Sequence, residues 1–378
     1  MAITIIKNKQ KGNQRVITNL PEKRVAVLID QKFEDCEFQI PYKALQQAGA
    51  QVVVLGSRMN EKYQGKQGQV SIKPDGTVTE ARPEDFDAVV IPGGMAPDTL
   101  RNNPNAVKFI QRAMELGKLV AAVCHGPQML IEGDLLKGKN ATGFVSIRKD
   151  MMNAGANYLD EPLVVDGNLI TSRQPGDLAL FTTAILTRLG LGIPEQALPD
   201  ESDASAQWWQ LAQAWGGNHK SEIVDALNTA LAGERYARKA FELYAEKTSD
   251  AQLRSLLHEM IENKQRHIQM LEKRLRDLDA SESISASAAD IYASIQDWLH
   301  ASDDMAILRR TLGDIQTGVV DSYNLRKQYT DPTSTAIFTE IEADLAQYEQ
   351  RLAQLYHAKI GTQSAQPARP TTGAAVTG

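Results

Sequence analysis

The sequence predicts an α/β fold built on a parallel sheet, followed by an all-α four-helix bundle, and three observations lead there. Short apolar runs, Val25–Ile29, Val52–Leu55, Ala88–Ile91 and Leu119–Val123, alternate with helix-like stretches. Runs that are apolar on both faces suit strands buried in a parallel sheet. The helix candidates between them, Pro41–Ala48 and Pro104–Leu116, each end at a glycine, Gly49 and Gly117, the residue helix C-termini favour. From Ser221 to Ile360 nearly every residue is a helix former, in four segments near 221–247, 250–278, 287–328 and 333–359, the spacing of a bundle.

A chain of 378 residues is too long for one ordinary core, which suggests two domains. Hydrophobic residues at 42% and charged residues at 23% give the balance of a soluble globular protein. The net charge of −6 comes with no block of basic residues, which argues against nucleic acid or an anionic membrane surface as a partner. No apolar stretch reaches the roughly 18 residues of a spanning helix. With two cysteines, Cys36 and Cys124, and no basic start leading into an apolar run, a reducing cytoplasm is the expected compartment.

Along the chain, residues 1–22 read as a polar extension and 23–193 as the α/β domain. Late in that domain Leu163–Ile170 reads as a hairpin turning at Asp166-Gly167. Residues 194–220, with Trp208, Trp209, Trp215 and the break Gly216-Gly217-Asn218, read as a linker helix docking by its aromatic face. The bundle follows over 221–360, and 361–378, rich in Thr, Ala, Gly and Pro, is expected to be disordered.

Cys124 ends the fourth apolar run just before a helix expected over His125–Ile131. A strand-to-helix elbow of this kind delivers a side chain into the crevice at the carboxyl ends of the strands. Unpaired amides at a helix start would lower the thiol pKa toward the reactive thiolate. Alone, a single cysteine is more often a small inert core residue. Two further segments change that balance. Ile91-Pro-Gly-Gly94 follows an apolar run and lets backbone amides approach a ligand, although a Gly-Gly pair by itself is usually a tight turn. Phe33-Glu-Asp-Cys-Glu37 follows the first run and could place a carboxyl beside the thiol, although by itself it is an acidic loop.

In this order and spacing, these segments resemble the PfpI family of intracellular cysteine peptidases, in the class I glutamine amidotransferase-like superfamily that also holds the parkinsonism-associated deglycase. The likeness runs from about Lys23 to Leu189, through Cys124-His-Gly-Pro-Gln128, Ile147–Ala156 and Thr171-Ser-Arg-Gln-Pro-Gly-Asp177. It implies a flavodoxin-like sandwich in which Cys124 is the nucleophile, His125 its base and Glu37 the carboxyl touching sulfur. Gly93 and Gly94, with the amide of His125, would form the oxyanion hole. The resemblance also implies a homo-oligomer, dimer or hexamer, in which a neighbouring subunit completes the triad with the carboxylate at position 98. Asp98 is shorter than the glutamate usual there, Phe144 stands for a common tyrosine and Gln174 for a frequent histidine. Cys36, one residue before Glu37, is not favoured as a disulfide partner of Cys124, since a disulfide demands a distance that sequence does not supply.

In the first bundle helix Leu227, Leu231, Glu234, Phe241 and Tyr244 share a stripe, which turns Glu234 inward, and a buried carboxylate invites a cation. Di-iron bundles need Glu-x-x-His pairs. Here Glu262 meets Gln265, Glu342 meets Leu345, and the third helix offers Asp314 and Asp321. His258 and His267 are expected on polar faces or at caps. The segment resembles a bacterial ferritin-like domain of unknown function, expected to act in oligomerisation or docking without metal or other cofactor. The functional expectation is a hydrolase acting through Cys124 on peptide or small carbonyl-adduct substrates. A redox sensor or chaperone working by Cys124 oxidation is the alternative, and iron handling by the bundle a third.

Overall fold

The structure is a computed structural model that describes residues 22–203, 205–282, 299 and 302–364. The N-terminal extension apart from Glu22, residues 287–301 of the third expected helix apart from 299, and most of the tail fall outside the described residues. The chain divides into two compact units between Asn218 and His219.

In the first unit the strands are β1 (Arg24–Leu28), β2 (Gln51–Gly56), β3 (Tyr63–Gln64), β4 (Ser71–Ile72), β5 (Gly76–Thr77), β6 (Ala88–Ile91), β7 (Leu119–Val123), β8 (Asn140–Ala141), β9 (Asn157–Tyr158), β10 (Leu163–Asp166) and β11 (Leu169–Ser172). Seven of them form one sheet in the order β10-β11-β7-β6-β1-β2-β5. All neighbours are parallel except the β10–β11 edge hairpin. Asp166 is the last residue of β10, paired with Leu169, so the two-residue turn is Gly167-Asn168 rather than Asp166-Gly167. Gly167 supplies the φ of +62° that the turn requires. The residues of β6 and β7 are buried on both faces, as a sheet covered by helices on each side demands.

The chain runs from β1 outward to β2 and returns on the other side of β1 as β6. That reversal makes a crevice at the carboxyl ends of β1 and β6, where ligands of open α/β sheets bind. The segments after β1, β6 and β7 all open onto this edge. They carry Phe33–Glu37, Gly93-Gly94 and Cys124.

The helices of this unit are α1 (Asp35–Gln47), α2 (Ala96–Leu100), α3 (Pro104–Glu115), α4 (Gln128–Glu132), α5 (Arg148–Asn153), α6 (Leu178–Leu189) and α7 (Trp208–Ala214). α1 begins six residues earlier than the Pro41 start read from sequence. Proline suits a first turn, but here Asp35 and Glu37 occupy that turn, where acids favour the helix dipole. Pro41 lies buried inside the helix and deprives the Glu37 carbonyl of its usual donor four residues on. The stretch read as a linker belongs to the first unit: α7 packs on α6, Trp208 and Trp215 are buried, and Gln39 Nε2 donates to the Gly216 carbonyl at 3.1 Å.

The second unit holds α8 (Lys220–Lys247), α9 (Ala251–Asp277), α10 (Asp304–Gln328) and α11 (Pro332–Ser364). α8 packs against α9 and α10 against α11 as two helical hairpins. Leu227, Leu231, Phe241, Leu257, Leu271, Leu308, Leu345 and Leu352 fill the interior. Among the described residues no helix is long and apolar enough to cross a membrane.

Inside the bundle Glu234 is buried and its two oxygens are divided between Lys264 Nζ at 2.7 Å and His267 Nδ1 at 2.9 Å. His267, far from lying on a polar face, is fully buried and reaches Asp344 Oδ2 through Nε2 at 2.9 Å. Asn263 and Arg266 complete the hold on Asp344. Three helices are thereby tied by one ionic chain. Burial pushes the Glu234 carboxyl up, but Lys264 and His267 outweigh it and hold the group below its ordinary value. Removing one partner of such a pair leaves an uncompensated buried charge. Glu234→Ala is therefore expected to cost about 3–5 kcal/mol in urea unfolding, and Glu234→Leu combined with Lys264→Met to recover most of that loss.

Candidate active site

Cys124 is the hinge between β7 and the turn before α4. Its own amide donates to the Ser172 carbonyl at 3.0 Å and its carbonyl accepts from Phe144 at 2.9 Å, so the backbone is clamped from two directions. Its φ of +59° lies in the left-handed region, which a non-glycine residue occupies only when its surroundings impose it. α4 starts at Gln128, three residues later than expected, and is a single short turn. The clamped left-handed backbone, not a helix terminus, positions the thiol.

The sulfur lies 3.2 Å from His125 Nδ1. On its far side the imidazole meets Ser146, with Oγ 3.1 Å from Nε2. The Phe144 ring stacks on the imidazole at 5.2 Å between centroids. Behind the sulfur is Glu37, which has no exposed surface. Its Oε2 accepts from the Gly93 amide at 2.7 Å, and its buried Oε1 makes no hydrogen bond of ordinary geometry. The carboxyl interacts with the thiol. A Cβ on Gly93 would sit 2.6 Å from Oε2 of that carboxyl and 2.8 Å from both Cys124 Cβ and the His125 amide nitrogen. Only glycine lets these three groups converge. Because the Gly93 amide is spent on Glu37, the oxyanion donors read from sequence are narrowed to Gly94 and His125.

Gly94 has a φ of +78° and bridges antiparallel to Phe33, joining the acidic loop to the Gly-Gly loop. The neighbouring Glu34 pairs with Lys66 at 3.3 Å. Asp35 accepts from the amides of Gln67 and Val70, at 2.7 Å each, and so anchors the loop that carries Lys66. Asp98 is exposed on α2 and acts on His125 only as a charge through space. Within one chain the third group on the imidazole is Ser146. Cys36 and Cys124 are both free thiols.

Burial, and after it the Glu34 charge, raises the Glu37 carboxyl from 4.5 to about 8. Burial, then Glu37, pushes the Cys124 thiol well above its ordinary value. The low thiol pKa expected from a helix start is therefore not found. The amide at that turn pulls downward, but desolvation outweighs it. Glu37 contributes to that push both as a charge and as a hydrogen-bond partner of the thiol. His125 is lowered below 6.5 by burial and by Lys66. At neutral pH the site thus holds a thiol, a neutral imidazole and a neutral carboxylic acid. Sequence reasoning missed Ser146, Lys66 and Glu34. Ser146 stands 21 positions from His125 with no local motif to mark it, and Lys66 sits in a loop whose course depends on Asp35.

The bundle's donor set does not fit a metal. Lys264 places an ammonium at 2.7 Å from the buried Glu234, where a bound cation would sit, and His267 has both ring nitrogens committed to carboxylates. Among the described residues no group of three or more His, Cys, Asp or Glu is arranged to hold an ion.

A doubly wound sheet whose strand-to-helix elbow presents a cysteine against a histidine and a buried carboxyl defines a class of α/β proteins with a cysteine at the switch point of the sheet. The chain belongs to the DJ-1/PfpI family, which it matches over residues 23–188. Residues 222–318 match a domain of unknown function, DUF2383. The first unit is 46% identical over 167 residues to a Bacillus subtilis protein named "Putative cysteine protease YraA", covering 98% of that protein and 44% of this chain. An uncharacterized protein of Archaeoglobus fulgidus is 44% identical over 158 residues, covering 93% of that protein and 42% of this chain. Both units are matched by the crystal structure of a two-domain protein from Anabaena variabilis with DJ-1/ThiJ/PfpI-like and ferritin-like domains. It is 61% identical with a TM-score of 0.85, covering 93% of this chain and all of that one.

The raised Glu37 gives a test of the electrostatics. Its folded value of about 8 exceeds the ordinary 4.5, so the stability it contributes is complete below about 4.5 and is lost as the pH rises toward 8. Relative to the wild type, Glu37→Gln is expected to gain roughly 10 °C in melting temperature across that window and nothing further below it. A difference independent of pH in differential scanning calorimetry would mean that Glu37 is ionised in the fold.

Proposed function

We propose that the α/β unit is a cysteine-dependent hydrolase whose nucleophile is Cys124 and whose base is His125, acting on peptide bonds or on carbonyl adducts such as those of glyoxals. The observation that carries this reading is the 3.2 Å approach of sulfur to an imidazole nitrogen at a strained elbow, with a buried acid behind the sulfur. The reaction begins as Nδ1 takes the thiol proton while the sulfur lone pair attacks an electrophilic carbon. The oxygen that gains charge is received by the amides of His125 and Gly94. The imidazolium then returns its proton to the leaving group, and water releases the acyl or adduct carbon from sulfur. Glu37, holding its own proton, donates toward sulfur as negative charge develops there. Such an interaction favours the transition state over the resting thiol.

The printed name of the Bacillus subtilis relative, a cysteine protease, supports the hydrolytic half of this reading. The slight exposure of Cys124, 7%, favours slim electrophiles over folded chains. A peroxide sensor needs a standing thiolate, and burial opposes one here. Free thiols at both cysteines suit a reducing, cytoplasmic setting. Assembly into a dimer or hexamer belongs to the proposal as a second possible source of a group for His125, through Asp98.

Turnover of a fluorogenic peptide and of methylglyoxal by the full chain tests the proposal. Cys124→Ala is expected to abolish it, and His125→Ala to lower it about 10²–10⁴-fold. A wild type inert toward both probes yet readily oxidised by peroxide would replace the hydrolase with the sensor. The pH profile should be bell-shaped, rising as His125 loses its proton below 6.5 and falling near 8 as Glu37 ionises. Glu37→Gln, unable to ionise, should lack the alkaline limb.

A further inference from the structure

We propose that His267 is an imidazolium at the centre of the bundle, a proton latch that joins the α8–α9 hairpin to α11 and supplies, with Lys264, the positive charge that a di-iron bundle takes from metal. The inference concerns the helical unit alone and does not depend on the hydrolase reading.

The hydrogen bonds place the protons. Nδ1 lies 2.9 Å from Glu234 Oε2 on α8, and Nε2 lies 2.9 Å from Asp344 Oδ2 on α11. An ionised carboxylate can only accept, so a ring held between two of them donates from both nitrogens and carries a positive charge. Both carboxyls favour the ionised form. Burial pushes Asp344 up, but the bonds from Asn263 and His267 and the charge of Arg266 outweigh it, and Asp344, like Glu234, is held below its ordinary value. The balance of buried charge agrees: the Lys264 ammonium, 2.7 Å from Glu234 Oε1, offsets one carboxylate, and the imidazolium is shared with the other. A neutral ring would set a bare nitrogen lone pair against a carboxylate oxygen at a residue with no exposed surface.

Each helix of the unit contributes ionic groups to this centre or beside it. Glu234 comes from α8, Lys264 and Arg266 from α9 itself, and Asp344 from α11, where Glu340 also holds Arg266. From α10, Asp314 is bonded to Tyr244 and Arg310, and Arg326 is paired with Glu342 of α11. Further along α9, Arg274 is bonded to Asp331, just ahead of α11, at 2.8 Å. The ring is thus the bridge between a carboxylate of one hairpin and a carboxylate of the other. If it gives a proton to solvent, it can donate to only one of them, and the tie between Glu234 and Asp344 is broken. An ordinary histidine loses that proton near 6.5. The stability that the latch contributes is therefore complete below about 6.5 and is lost as the pH rises past the point where the folded ring gives up its second proton.

The test reads the ring nitrogens of the full chain, labelled with ¹⁵N-histidine, in long-range ¹H–¹⁵N spectra, with the His267 signals assigned against His267→Gln. At about pH 7.5, one unit above the ordinary histidine value, both nitrogens of His267 are expected at protonated shifts. A bare nitrogen at that pH would overturn the inference. Asp344→Asn keeps an oxygen of similar shape but removes the charge, and is expected to move the ring's loss of its second proton down by about one unit. No movement would mean that Asp344 does not hold the proton. Thermal unfolding gives a second reading: His267→Gln should melt about 5 °C below the wild type at pH 6, with the deficit shrinking toward pH 9. A deficit equal at both pH values would reduce His267 to a packing residue. Should His267→Gln fail to fold, Asp344→Asn, whose parent side chain is partly exposed, supplies both the assignment and the comparison.

Discussion

The left-handed backbone of Cys124 is the constraint on which the site depends. A non-glycine residue in that conformation carries a cost of roughly 1–3 kcal/mol, and it persists only where the surroundings over-determine it. Here they do so through two hydrogen bonds from different parts of the sheet edge, one to Ser172 and one from Phe144. The first registers the elbow on β11, and the second ties it to the segment that carries Ser146. Releasing the elbow would move the sulfur away from Nδ1 and the imidazole away from Phe144 together.

Glu37 couples this elbow to the rest of the crevice. It comes from the first turn of α1, reaches beneath Gly93, takes that residue's amide and stops against the thiol. The glycine at position 93 is dictated by this crossing, since any side chain would displace the carboxyl or the sulfur. The site is thus a convergence of three segments at the switch point of the sheet, and the acid at its centre is kept neutral by burial. Glu34, at the start of α1, and Lys66, from a loop that Asp35 holds closed, set the charge around it. The helical unit solves the opposite problem. It keeps its buried carboxylate charged, by placing Lys264 and His267 upon it. In one unit desolvation wins, and in the other paired charge wins.

Much of the architecture was legible in the sequence because its signals are local. Runs apolar on both faces located β1, β2, β6 and β7, and the glycines at 49, 94 and 117 do take positive φ. The elements that were misplaced are those governed by tertiary context. Pro41 reads as a helix start, but packing and the acids of Asp35–Glu37 carry α1 through it. His267 reads as a surface histidine, because nothing nearby in sequence reveals that Glu234 and Asp344 arrive from other helices. Of the site, Cys124, His125, Glu37 and the Gly-Gly loop were legible as motifs. Their protonation was not, because desolvation depends on what covers them. Ser146 was invisible for the same reason: its contact with His125 is made across a turn that only the folded chain closes.

The chemistry of the elbow turns on Glu37 being a neutral acid beside the sulfur at physiological pH. Its state can be followed directly by the side-chain carboxyl ¹³C shift of isotopically labelled protein, assigned against Glu37→Gln. A single titration with a midpoint near 8 is expected. A Glu37 already ionised at pH 6 would contradict it.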